Sequence, residues 1–138
     1  MTSTVENARD EMYALAKTAF EGRCELVYDD AKAKKPNGPD PWARATVRHT
    51  NGGESSISRG NGKGRYTRIG TLYLNLFAPP GDGLRVLDPL VKVALDAYEG
   101  KTTPSGIWFT KAQVREMGVV NGLAQVNVLV NFSYDEVK

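Results

Sequence analysis

The longest alternation of apolar and polar residues lies near the C-terminal end. Ala124, Val126, Val128, Val130, Phe132 and Tyr134 interleave with Gln125, Asn127, Leu129, Asn131 and Ser133. A strand with that pattern has one continuously apolar face and one polar face left for water or a partner. A second long strand is expected over residues 66–77, where Leu72, Leu74 and Leu76 share one parity and Tyr73, Asn75 and Phe77 the other. It must stop at Pro79-Pro80, because proline offers no N–H to a ladder. Residues 42–50 also alternate, setting Ala43, Ala45, Val47 and His49 against Trp42, Arg44, Thr46 and Arg48. Asn51-Gly52-Gly53 then reads as a hairpin turn into a strand at 54–59. Leu26-Val27-Tyr28 suggests a short strand, and 106–110 with 114–120 one or two more.

Helical spacing appears twice. Val5, Ala8, Met12, Leu15 and Ala19 form one stripe of a helix over residues 4–20, with Ser3 or Thr4 as its cap and Gly22 as its end. Leu84, Leu87, Val91, Ala94, Leu95 and Tyr98 form another, closed by Gly100. Two starts fit that second helix. Either Asp88 is the N-cap with Pro89 in the first helical position, or an earlier turn near Asp82 bends at the proline; a helix from Pro89 after a loose turn is favoured. The element order implies an α+β fold: a mainly antiparallel twisted sheet with two helices packed on one face. Two segments lie outside this regular pattern. Residues 29–41 read as a surface loop, and the glycine-rich stretch 59–65 as a flexible one.

Bulk composition narrows the picture. A chain of 138 residues, 41% of them hydrophobic, fits one domain over 1–138 with a single core. Its net charge of +2, from 18 basic and 16 acidic side chains, is near balance, so any electrostatic partner must be read locally. Cys24 is the one cysteine, which excludes an intrachain disulfide, fits a reducing compartment and reads as a small buried side chain. The first residues lack the basic start and apolar centre of a secretory signal, and no stretch is long enough to span a bilayer. A soluble cytosolic protein is the expectation.

Catalytic residue types are sparse. His49 is the one histidine, expected as a solvated strand residue, and a dyad with Cys24 has no local support. One cysteine and one histidine do not make a tetrahedral zinc site. Gly60-Asn61-Gly62-Lys63-Gly64 lacks the spacing and the following helix of a phosphate loop. No catalytic, cofactor or metal residues are assigned, and no enzyme is expected. Arg44, Arg48, Arg59, Lys63, Arg65 and Arg68, with Glu54 as the one acid among them, give the hairpin region a local positive bias. Three readings stand: a solvated hairpin guarded against edge pairing, a nucleic-acid-binding module using the basic hairpin 44–68, or a docking loop ordered on a protein partner through Arg59, Asn61, Lys63 and Arg65.

Taken in order, Trp42-x-Arg44, then Arg68-x-Gly70-x-Leu72-x-Leu74-x-Leu76-Phe77-x-Pro79-x-Gly81-x-Gly83, then a helix ending Tyr98-Glu99-Gly100-Lys101, then 126–135 closing on Tyr134-Asp135, resembles the small tail-terminator proteins of long-tailed bacteriophages. The likeness spans roughly residues 4–135 and lies in element order and spaced residues. It implies a structural virion protein that forms a ring, usually a hexamer, on the head-proximal end of the tail. The ring caps the tail tube, stops its polymerisation and offers a surface for head joining. The implied partners are copies of itself, the tail tube protein and a head-completion protein, with no membrane and with nucleic acid only as DNA passing through the ring. Assembly would take place in the host cytoplasm.

Overall fold

The computed structural model describes residues 4–28, 40–50, 53–56, 65–81 and 84–137. The expected loop at 29–41, and all of the glycine-rich stretch but Arg65, therefore lie outside the described residues, apart from Asp40 and Pro41. Helix α1 (Val5–Phe20) starts where the Thr4 hydroxyl accepts from the Asn7 N–H at 3.1 Å. That bond satisfies one of the four first-turn donors that lack an intrahelical partner. The helix ends before Gly22, which sits at φ +76°. Its buried row is Ala8, Met12, Ala16 and Phe20. The expected stripe is thus rotated: Val5 is exposed, and Leu15 and Ala19 flank the core. An unbroken i, i+4 ridge with two alanines lets the helix axis approach the sheet more closely than the mixed stripe would.

Strands β1 (Glu25–Tyr28), β2 (Trp42–His49), β3 (Gly53–Ser56), β4 (Arg65–Ala78), β5 (Trp108–Val120) and β6 (Leu123–Val137) make one sheet in the order β1-β2-β4-β6-β5, with β3 also on β4. All pairs are antiparallel except β1 with β2. The architecture is α+β, as the element order implies. The expected hairpin between β2 and β3 is not what forms. His49 pairs with Gly70 and Gly53 with Thr67, so both strands run the same way along one edge of β4. The short pieces expected near 106–120 are one strand. Bulges at Thr110 and Met117 interrupt its alternation without ending it. It turns into β6 through Asn121 and Gly122, both at positive φ, as a two-residue hairpin turn requires.

A 3-10 turn (Leu84–Leu87) runs directly into α2 (Asp88–Tyr98). The cap is therefore Leu87, already in a helical conformation and with no side-chain cap bond. Asp88 lies inside the first turn instead of capping it, where its charge suits the helix dipole. Both helices cover the face formed by Ala43, Ala45 and Val47 of β2, Leu72, Leu74 and Leu76 of β4, and the even positions Ala124 to Tyr134 of β6, all buried. Tyr98, fully buried in α2, donates its hydroxyl to the Met12 carbonyl at 2.9 Å and ties the helices together. Burial pushes that phenol far above its usual range, so it remains a donor. Among the described residues no helix is long and apolar enough to cross a membrane.

Candidate functional site

Because the helices occupy one side of the sheet, the other side is left uncovered by any described element. The register brings Arg44, Asn75, Asn127 and Arg115 into one row across β2, β4, β6 and β5. Hydrogen bonds tie the middle of that row together. Asn75 Nδ2 donates to Asn127 Oδ1 at 2.7 Å, Gln125 Nε2 donates to the same oxygen at 2.8 Å, and Arg44 reaches Asn75 Oδ1 at 3.5 Å. The Arg44 guanidinium also lies 5.4 Å from the centre of the Phe77 ring, which is stacked on Trp42. Its planar head is thereby held in place beside a shallow concavity of about 320 Å³ lined by Arg44, Thr46, Arg48, Tyr73 and Asn75.

The two borders of the sheet differ. On the β2 side, β1 covers residues 42–45 only, and α1 closes the next stretch. The Val47 N–H donates to the Tyr13 hydroxyl at 3.2 Å, and Arg9 donates to the Val47 carbonyl at 3.4 Å. On the opposite border β5 pairs with β6, and among the described residues its outer side is covered only at its start, by a bridge from Thr102 to Trp108 and a hydrogen bond from the Phe109 N–H to the Lys101 carbonyl. This strand carries Trp108, Val114, Met117 and Val119, exposed by 60, 40, 43 and 63%, whereas the other exposed large apolar residues, Val5, Ile69 and Val86, are scattered. A long edge with unpaired backbone groups and apolar side chains is a template for pairing with another chain. Its bulges restrict regular pairing to the run 111–116.

The sequence-predicted docking residues are not brought together among the described residues. Arg59, Asn61 and Lys63 lie outside them. Arg65 opens β4 and belongs to a strand, not to a loop, with its guanidinium 3.7 Å from Asp135. Arg68 of the expected basic patch faces the helix side, bound to Glu136 at 3.2 Å and placed over Tyr66. Lys111 and Arg115 were not anticipated, because they sit on β5, far along the chain from the hairpin. Their shared parity was the one signal that could have placed them on a face with Arg44.

Cys24 and His49 are held apart. Glu25 pairs with Trp42, seven residues from His49, which is about 23 Å along a strand. Burial pushes the Cys24 thiol up to about 11, so it stays protonated. No cluster of three His, Cys, Asp or Glu side chains able to hold a metal occurs among the described residues. His49 is not the solvated residue expected. Its Nε2 lies 2.7 Å from the Tyr134 hydroxyl, its ring meets Phe132 edge-on, and Nδ1 is buried with no hydrogen-bond partner among the described residues. Burial, then Arg9 and Arg68, push its pKa below 6.5. The same setting pushes the Tyr134 phenol up to about 12, through burial first and Glu136 second.

A stability prediction follows from the histidine. With its folded value below its unfolded value, the unfolded chain takes up the proton first, so stability is full above 6.5 and declines as pH falls through the window beneath it. Melting curves across that window should show the decline, and His49→Gln should flatten it. An unchanged slope in the variant would assign the acid sensitivity to other groups.

Comparison with known proteins adds the fold alone. No protein-family model matches the chain, and no curated protein matches it. A solved structure of 17% identity covers 91% of this chain and 94% of its own, with a TM-score of 0.57. The chain is therefore similar in architecture to that structure.

Proposed function

We propose that the chain is a structural subunit that assembles with copies of itself into a ring and, like the tail terminators it resembles, caps a phage tail tube at the head-proximal end of the virion. The observation that supports this most directly is the β5 edge. From Thr110 to Val120 it is uncovered by any described element and exposes Val114, Met117 and Val119, while the β2 border is closed at Val47 by Arg9 and Tyr13. In a ring the contact is head-to-tail, so β5 of one copy meets a different surface of the next. The run Lys111 to Glu116 supplies the backbone pairs, and Val114 and Val119 supply apolar contact on the helix side. The tail tube and a head-completion protein would then meet the two axial faces of the ring.

Native mass spectrometry and sedimentation, with and without tube protein, test this reading. A closed oligomer larger than a dimer is expected, together with shortened tubes. Val114→Glu with Val119→Glu should return the protein to monomer at unchanged melting temperature, because both side chains are already exposed. A wild-type protein that stays monomeric and leaves tube length unaltered would overturn the proposal. A dimer that goes no further would show an edge pairing with itself instead of a ring.

A further inference from the structure

We propose that the open face of the sheet binds the phosphate backbone of a nucleic acid through a four-cornered array of cations drawn from two strands far apart in the chain, β2 and β5. The array follows from register. Arg44 and Arg115 end one cross-strand row through Asn75 and Asn127, while Arg48 and Lys111 end another through Thr71 and Asn131. Three strand spacings separate the corners across the sheet, about 14 Å, and four residues separate them along it, about 13 Å. No carboxylate lies within those corners among the described residues. Glu25 sits outside them at the β1 border, and Asp135 beyond the far row, where it accepts from Thr67 and pairs with Arg65.

Between the charged rows runs Thr46, Tyr73, Leu129 and Gln113. Tyr73 and Gln113, with Asn75, Asn127, Asn131 and Thr71, give hydroxyl and amide groups suited to phosphate oxygens, while Thr46 is buried. The same composition favours a nucleic acid over an acidic protein. A protein interface has an apolar centre with charges depleted, whereas here Tyr73 and Leu129 are the only large apolar side chains between the charged rows and four cations surround them. Widely spaced corners also suit a partner whose anions recur at short intervals, since each corner then finds a charge in any register. The shallow concavity beside Arg44, Thr46, Arg48, Tyr73 and Asn75 gives one backbone segment a seat. The inference rests on one chain's register and holds whether or not copies close a ring.

Fluorescence anisotropy with labelled single-stranded and duplex oligonucleotides tests it on the full chain. If four phosphates are engaged, affinity should fall about 150-fold for duplex and about 50-fold for single strand between about 50 and 200 mM salt. Lys111→Gln with Arg115→Gln removes two corners on exposed positions, and should reduce those salt effects to about 12-fold and 7-fold. Lys17→Gln with Lys92→Gln removes equal charge from the helix layer and should leave binding unchanged. The comparison of the two oligonucleotides assigns the backbone to single strand or duplex, and binding of either supports the proposal. It is overturned by absence of binding at the lower salt, by equal losses in the two double variants, or by loss confined to Arg59→Gln with Lys63→Gln, which would move the site to the glycine-rich loop. Binding of polyglutamate as tight as that of the oligonucleotides would make the face a protein-docking surface and overturn it as well.

Discussion

Val128→Asp is expected to destabilise the protein by about 4 kcal/mol. Val128 is fully buried in β6, paired with Leu74, which is also fully buried, on one side and with Val114 on the other. A carboxylate there has only Leu74 and Val114 as cross-strand neighbours, so it either remains charged in an apolar layer or takes up a proton at comparable cost. Against a total stability of about 5–15 kcal/mol this is a large fraction, and the melting temperature should fall by roughly 10–20 °C. Leu129→Asp, one residue away, is the parity control. Leu129 is half-buried on the open face between Tyr73 and Gln113, with Lys111 and Arg115 on the neighbouring strand, so its loss should be less than half as large. Equal losses at the two positions would mean that the strand does not present one buried and one open face.

The parity of β6 was legible because alternation over many residues determines which face is buried, whatever the strand pairs with. The same logic served β2 and β4, whose positions Ala43, Ala45, Val47, Leu72, Leu74 and Leu76 line the core. Where the sequence misled, long-range pairing outweighed a local signal. Asn51-Gly52 and Asn121-Gly122 are the same dipeptide, and the hairpin was expected at the first. The strands flanking Asn51-Gly52 both find places on β4, a strand of fourteen residues, and so keep one direction, whereas those flanking Asn121-Gly122 pair with each other. The breaks at Thr110 and Met117 looked like strand ends because a bulge and a terminus interrupt alternation in the same way.

The candidate surfaces were less legible for a related reason. Charge clustering was sought along the chain, and the nearest cluster, 44–68, is divided by the sheet. Arg44 and Arg48 fall on the open face, while Arg68 falls on the helix side with Glu136. The cations that complete the array come from β5, and only the β4–β6–β5 register places them there. His49 and Tyr134 are eighty-five residues apart in sequence. Their contact depends on β4 lying between β2 and β6 with no side chain in the way.

That last condition makes Gly70→Ala the second large effect, with an expected loss of about 3 kcal/mol. Gly70 pairs with His49 on one side and Phe132 on the other, and its conformation is ordinary extended backbone, so space and not flexibility is what the position requires. A Cβ there would come within 2.3 Å of the Arg48 carbonyl oxygen, 2.5 Å of Phe132 Cζ and 2.9 Å of the His49 Cα. The ring is the far end of a side chain and can turn. The Arg48 oxygen and His49 Cα are backbone of the neighbouring strand, so β2 would have to lift from β4 where the His49, Phe132 and Tyr134 rings meet. Urea titration should therefore show a midpoint lower by about 1–2 M at unchanged slope. Placing Gly70→Ala in a Phe132→Leu background separates the two contacts. Most of the added loss should persist there, because removing the ring leaves the backbone clash; if the double variant is as stable as Phe132→Leu alone, the ring was the obstacle and the strands can accommodate the methyl group.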